Sequence, residues 1–281
     1  VRLDAVAAKF RQFDRMTNHL LRMLAVILAA SLLTLAGSRA RAGQPCQLTT
    51  IGTATVAMVR DGRTLTLTDG RELRLAAIEV SNGSQAALQN LVAGRLLRLE
   101  KLGPDHDRYG RLVAFAFADD AEQSVQQALL AQGEARVSAR VGDKACADAL
   151  LATEREARTR RRGLWGDPNF APLPAENRAR LMGERGHFAL VEGKVLSVRK
   201  SGGTLYMNFG PYRTRDFSVV IPRRRQRAFA AAGIALKQLA GRRVRVRGWI
   251  EQRRGPIIEA DAPEQIELAG GGMGQPQETR P

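Results

Sequence analysis

The stretch from Asp61 to Asn82, DGRTLTLTDGRELRLAAIEVSN, decides the fold. Thr64, Thr66 and Thr68 interleave with Leu65 and Leu67, the period of two shown by a half-buried strand. Asp69-Gly70 is a hairpin turn pair, because glycine takes a positive φ without a steric clash. A second strand is expected over residues 72–80, with Leu73, Leu75 and Ala77 on one face and Arg74, Ala76 and Ile78 on the other. Working outward, a preceding strand is expected near 50–60. Residues 84–93 read as a helix closed by Gly94, and 95–101 and 112–117 as further strands. Helices are expected near 123–132 and 145–162. Three strands, a helix and two strands, then C-terminal helices, spell a small five-stranded Greek-key barrel. The fold class is therefore mainly β with α.

Composition bounds the function. Among 281 residues, 44 are Lys or Arg and 28 are Asp or Glu, a formal net charge of +16. An apolar content of 44% supports a packed core and excludes a disordered chain. Two cysteines exclude a disulfide-dense scaffold and a four-cysteine zinc site, and three scattered histidines argue against a histidine metal centre. The surplus of positive charge points to a polyanionic partner.

The first 42 residues read as addressing. Arg22 precedes an apolar run of 15 residues at 23–37, and Ala40-Arg41-Ala42 forms the small-x-small pattern of a signal-peptidase site. Residues 16–42 are thus expected to be a cleaved signal peptide, with 1–15 lying upstream of it. An uncleaved anchor is the competing reading, although the run is short of the roughly 20 residues that a spanning helix takes. Seven of the basic and two of the acidic residues precede Gly43, so an excess of +11 stays with the mature part. Export, to the periplasm or beyond the cell, with no membrane span in the mature chain, puts Cys46 and Cys146 in an oxidising space. As the only two cysteines they are expected to pair.

The barrel is expected to occupy 43–168. Residues 169–186, with Pro172 and Pro174 and no sustained period, read as a linker with room for a short helix. A second alternating module is expected over 187–268, with strands at 189–200, 203–209, 215–221, 242–251 and 255–267. A helical stretch at 223–240, broken at Gly233, falls between its third and fourth strands. Residues 269–281 read as a flexible tail. By strand order this module resembles a smaller oligonucleotide-binding (OB) barrel. Arg245, Arg247 and Trp249 share one strand face, and Tyr206 points outward from another strand. Together they would make a stacking platform beside positive charge for a single strand. In the competing reading the two aromatics cover the barrel under the linker or pack on the first module. Arg223, Arg224, Arg225 and Arg227 form a basic run that points to an outside partner or to a merely exposed turn.

Five runs in the first module, DGRTLTL (61–67), LRLAAIE (73–79), DRYGRLVA (107–114), SVQQALLAQGEARV (124–137) and RRGLW (161–165), resemble the staphylococcal nuclease family in order and spacing. The resemblance covers about residues 50–168. It implies an OB-type barrel with C-terminal helices and calcium-dependent hydrolysis of phosphodiester bonds in DNA and RNA. Such chemistry needs a cation for the phosphate charge, bidentate donors for its oxygens, and a carboxylate for the attacking water. The resemblance implies that Arg74 and Arg111 bind the phosphate and that Tyr109 contacts a substrate phosphate.

The remaining parts are altered. The family's metal loop, Asp-Gly-Asp-Thr, is Asp61-Gly62-Arg63-Thr64 here, so a calcium ligand is replaced by Arg63. The second ligand Asp is Glu79, a rigidifying Pro is Ser81, and the general base falls at Asn82, whose amide cannot usefully accept a proton. No metal is therefore expected at the ancestral positions Asp61, Arg63 and Glu79, and calcium only if the family activity is retained. Arg63 is expected either to sit among Asp61, Glu79 and a phosphate, replacing the metal in part, or to point to solvent. The expected function is an exported protein that binds nucleic acid through an arginine clamp, with hydrolysis weak or lost. Two alternatives stand beside it: an active nuclease, using Glu79 or Asp107 as base, and a periplasmic protein that binds anionic envelope polymers.

Overall fold

The computed structural model describes residues 46–269 except Asn82 and Asp120. The expected signal peptide, the general-base position Asn82 and nearly all of the expected tail lie outside the described residues. The described residues fall in one compact unit.

Five strands close the first barrel: β1 (Thr49–Val59), β2 (Thr64–Leu67), β3 (Glu72–Leu75), β5 (Leu96–Lys101) and β6 (Leu112–Ala118), in the order β1-β2-β3-β6-β5. Only the β3–β6 pairing is parallel. Bulges at Thr50/Gly52 and Val56/Met58 bend β1, so that its first part pairs with β5 and its last with β2. Leu65, Leu67, Leu73, Leu75, Leu97 and Leu99 fill the interior, each at most 2% exposed.

The expected strand 72–80 is broken. Ala77 takes φ 63°, which ends β3 and starts a separate β4 (Ile78–Val80), paired with β7 (Ala135–Val137). This reverses the expected facing. Ile78 is buried in the core, whereas Ala77 is only partly buried.

Helix α1 (Ser84–Val92) joins β4 to β5. α2 (Val125–Gln132) begins at a capping box of Ser124 with Gln127 and ends at Gly133, whose φ of 81° suits a residue without Cβ. α3 (Lys144–Thr159) starts at Asp143, whose side chain accepts from the Cys146 amide. Cys46 and Cys146 form a disulfide that ties the segment before β1 to the first turn of α3.

The second module has its own core, which includes Val191, Met207, Phe217, Val219, Val244 and Ile258. Residues expected as a linker contribute β8 (Leu173–Pro174) and α4 (Arg178–Gly183), with Leu173, Ala175 and Leu181 in that core. The stretch is thus packed, not a free spacer. β9 (Phe188–Lys194), β10 (Ser197–Ser201), β11 (Thr204–Asn208) and β12 (Ser218–Ile221) follow, then α5 (Gln226–Ala231). β13 (Arg243–Trp249), β14 (Glu251–Gln252), β15 (Pro256–Glu259) and β16 (Ile266–Leu268) complete it. These strands lie in two sheets, β10-β11-β12-β15-β14 and β16-β13-β9-β8. β9 with β10, β13 with β14, and β15 with β16 are halves of three broken strands. Joined, they give a ring of pairings in the same order as the first barrel, again with the third and fifth strands parallel.

Candidate functional site

The site grows from the turn between β1 and β2. Asp61 Oδ1 accepts from the Arg63 amide at 2.8 Å and so shapes the loop. The Arg63 side chain turns inward. Its Nη1 donates to Ile78 O at 3.0 Å and to the Glu79 carboxylate, and both side chains are 16% exposed. Of the two expected positions for Arg63, the structure has the inward one, but the guanidinium engages Glu79 and a backbone carbonyl while only the Arg63 backbone engages Asp61. The break at Ala77 makes this possible, because it re-aims Ile78 and Glu79.

Arg74 stands next to this pair. Sheet register sets it opposite Thr64 on β2 and Val113 on β6, two residues beyond Arg111. Thr64 is buried, and its Oγ1 has no hydrogen-bond partner. Burial first, then the Arg63 guanidinium and that of Arg111, push Arg74 below its ordinary pKa, against the pull of Glu79 and Asp107. Burial likewise pushes the Glu79 carboxyl up, against Arg63 and Arg74.

Arg111 is held differently. Asp107 Oδ2 accepts from its Nε at 2.8 Å and from its Nη2 at 2.7 Å. Oδ1 accepts from the amides of Tyr109 and Arg111 at 2.9 and 3.1 Å. Burial works against the Asp107 charge, but these bonds outweigh it and hold the carboxyl below its usual range. Asp107 is therefore a brace for Arg111, not the free base considered from the sequence. Tyr109 is 67% exposed on the same turn, with the guanidiniums of Arg108 and Arg111 at 4.7 and 5.3 Å from its ring centre.

Three guanidiniums thus gather with two carboxylates. Glu79 is taken by Arg63 and Asp107 by Arg111. Among the described residues, Arg74 has no carboxylate within 4 Å and no side-chain hydrogen bond, although it is partly buried. One positive charge is left over, and it carries no carboxylate partner among the described residues.

The family model described as staphylococcal nuclease homologue matches residues 72–167. The chain carries a staphylococcal-nuclease-like domain. That match takes in Arg74, Glu79, Tyr109 and Arg111 but begins after the altered loop at 61–64, and it covers about a third of the chain. Among curated proteins, none matches the chain.

A domain of this kind raises the question of calcium. The ion takes 6–8 oxygen ligands, several of them anionic. Position 63 carries a guanidinium and Glu79 is bonded to it, which leaves Asp61, one oxygen already accepting a backbone amide, as the one remaining carboxylate of the ancestral set. Among the described residues, no three His, Cys, Asp or Glu side chains converge as a metal seat. The residues present do not fit the ion.

The second-module platform expected from Tyr206, Arg245, Arg247 and Trp249 does not assemble. Tyr206 lies on β11 in one sheet, and the other three lie on β13 in the other. Arg245 is tied to Glu192 at 2.6 Å. Trp249 is 47% exposed, edge-on to Phe188.

Arg247 is a correction to the sequence reading: it is 1% exposed and cannot meet a ligand. It donates to both oxygens of Glu154 on α3, at 2.8 and 3.0 Å, to Val137 O at 3.0 Å, and to Glu267. Arg158 closes the group, 2.7 Å from Glu154 and 3.2 Å from Glu267. Glu154, Arg158 and Glu267 carried no signal as buried residues, since Glu154 and Arg158 read as an ordinary surface pair four apart.

Proposed function

We propose that the first module binds the phosphodiester backbone of nucleic acid through Arg74 and Arg111, with Tyr109 at the rim, and that calcium-dependent hydrolysis is lost. The observation that carries this reading is the guanidinium of Arg74, which has no carboxylate partner among the described residues. A partly buried cation beside two others is unfavourable until an anion arrives, and a phosphate oxygen supplies charge-assisted hydrogen bonds worth ~1.5–3 kcal/mol each. Arg111 is pre-set by Asp107, so its donors need little reordering.

Arg63 supports the loss of hydrolysis. One positive charge stands where the family places a divalent ion, and the expected general base is an amide, Asn82. Losing the base alone reduces rate by ~10²–10⁴. The lost ion removes further transition-state stabilisation.

We also propose that the second module is an OB-like barrel with broken strands and that the protein works outside the cytoplasm. The pairing ring supports the first. The disulfide is compatible with the second, as is the lack, among the described residues, of any helix long and apolar enough to cross a membrane.

The test is binding of labelled DNA and RNA oligonucleotides to the full chain in calcium and in chelator, with cleavage followed on the same samples. The expected result is equal binding in both conditions, a loss of ~10–100-fold in affinity for Arg74→Ala, and no cleavage. Calcium-dependent cleavage abolished by Glu79→Ala would overturn the reading.

A further inference from the structure

The rim of the first site runs into the second module. Glu79 pairs with Arg136 across β4 and β7, and the Ser138 amide donates to Ala77 O at 2.8 Å. The segment after β7 therefore leaves from beside the Arg63–Glu79 pair. Two residues on, Arg140 Nη2 lies 2.8 Å from Asp261 Oδ2 of the second module, and the Val141 amide donates to Glu264 at 3.0 Å. The other oxygen of Asp261 accepts from Arg225 Nε at 3.2 Å. One carboxylate clasps an arginine from each module.

Arg225 ends the run Arg223–Arg225, and Arg227 follows on α5. Among the described residues, no carboxylate lies within 4 Å of Arg223 or Arg227, and both are exposed. Arg224 reaches Glu259 only at 4.0 Å, and Glu259 already pairs with Arg253 at 2.7 Å. Among the described residues, two of these three exposed arginines have no carboxylate partner and the third has only a shared one at the limit of an ion pair. Like charges so close repel one another, and an external polyanion relieves that repulsion.

We propose that Arg140 and the 223–227 run extend the first site into a basic track across the second module, and that its ligand is a polynucleotide several nucleotides long. The proposal rests on the phosphodiester-binding reading of the first site and adds ligand length and a second-module contact to it. Charge complementarity calls for a polyanion. A partly buried Arg74 takes a flexible strand whose phosphates enter one at a time, where a flat lipid surface would stand off. Exposed Tyr109 offers an aromatic ring to an unpaired base.

The test measures the affinity of the full chain for a labelled dinucleotide and for a single-stranded oligonucleotide of about 16 nucleotides, between about 50 and 200 mM salt. Wild type is compared with Arg74→Ala and with the triple variant Arg223→Ser/Arg224→Ser/Arg227→Ser. The triple variant is expected to bind the long oligonucleotide at least ~10-fold more weakly, with a log–log salt slope shallower by about 2 and an unchanged dinucleotide affinity. Arg74→Ala is expected to weaken both ligands.

An unchanged affinity and slope for the triple variant would overturn the track and leave the first-site reading standing. Dinucleotide binding insensitive to Arg74→Ala would overturn the first-site reading, and the track with it. Anionic phospholipid vesicles that compete as well as unlabelled oligonucleotide at equal phosphate concentration would also overturn the proposal.

Discussion

Arg63 is where the chemistry of the pocket turns. Its guanidinium pairs with Glu79 and opposes, without cancelling, the burial that pushes this carboxyl up. Replacing it by a carboxylate reverses the local logic. Arg63→Asp sets a third acidic side chain beside Asp61 and Glu79, a donor set of the kind that hard divalent ions take. The variant is expected to gain a calcium-dependent rise in stability of ~1–3 kcal/mol at ~10 mM calcium, and the wild type none. Thermal melts with calcium and with chelator check this, and identical melts for the variant would contradict it. The brace on Arg111 gives a second prediction at this scale. Asp107 is held below its usual range, so the stability it contributes is present above its ordinary value near 3.8 and is lost as pH falls through the lower folded value. Asp107→Asn keeps the shape of the turn and removes the charge. It is expected to flatten the acid limb of the stability profile and to weaken oligonucleotide binding several-fold, because Arg111 is no longer oriented. Urea titrations from about pH 2 to 6 read the first effect.

Elements place these side chains, and one broken strand matters most. Alternation over 72–80 reads as a single strand, and nothing in Ala76-Ala77 announces a turn, since alanine seldom takes a left-handed φ. A glycine or asparagine there would have made the break legible. Other elements could be read because their signals are local: the Asp69-Gly70 turn and the alternation of 64–68. Ala77→Val puts a β-branched side chain into the left-handed region and is expected to reduce stability by ~2 kcal/mol or more, and to loosen the Ile78 O–Arg63 bond. Ala77→Gly keeps the break and is expected to change stability by less than ~1 kcal/mol. Denaturant unfolding of both variants checks the pair, and a tolerated valine would mean that β3 and β4 can run on as one strand. The disulfide constrains at the same scale. It closes a loop of 100 residues, for which the chain-entropy estimate is ~4.7 kcal/mol, with removal of native disulfides typically measured at ~2–5 kcal/mol. Cys46→Ser/Cys146→Ser is expected to fall in that range.

Across the whole molecule, the four groups Arg247, Glu154, Arg158 and Glu267 hold the two modules together, and their formal charges cancel. This was the least legible feature in the sequence. The strand VRVRGW alternates as a surface strand does, and no local pattern tells that its outer face meets the helix of another module. Burial pushes Glu267 up, but Arg247 and Arg158 outweigh it and hold it below its ordinary range, while Glu154 and Glu267 in turn raise Arg247 against its own burial. Such a group is expensive to break, because removing one partner leaves an uncompensated charge in a dry place. Arg247→Leu is expected to destabilise the protein by ~3–5 kcal/mol at neutral pH. It is also expected to invert the response to acid. In the wild type the contribution of Glu267 is complete above about its ordinary 4.5 and is lost as pH falls below that. In the variant Glu267 loses Arg247, the charge that most opposes its burial, so its folded value is expected to rise above the unfolded one. The penalty is then largest at neutral pH and lessens as protons bind, which makes the variant more stable near pH 5 than near pH 7. Arg247→Leu/Glu154→Leu removes both charges of the central pair and is expected to recover much of the loss. Urea unfolding at the two pH values separates these cases. A single variant within ~0.5 kcal/mol of wild type at both would mean that the buried tetrad does not lock the modules, and the basic track from Arg140 to Arg225 would lose its rigid support.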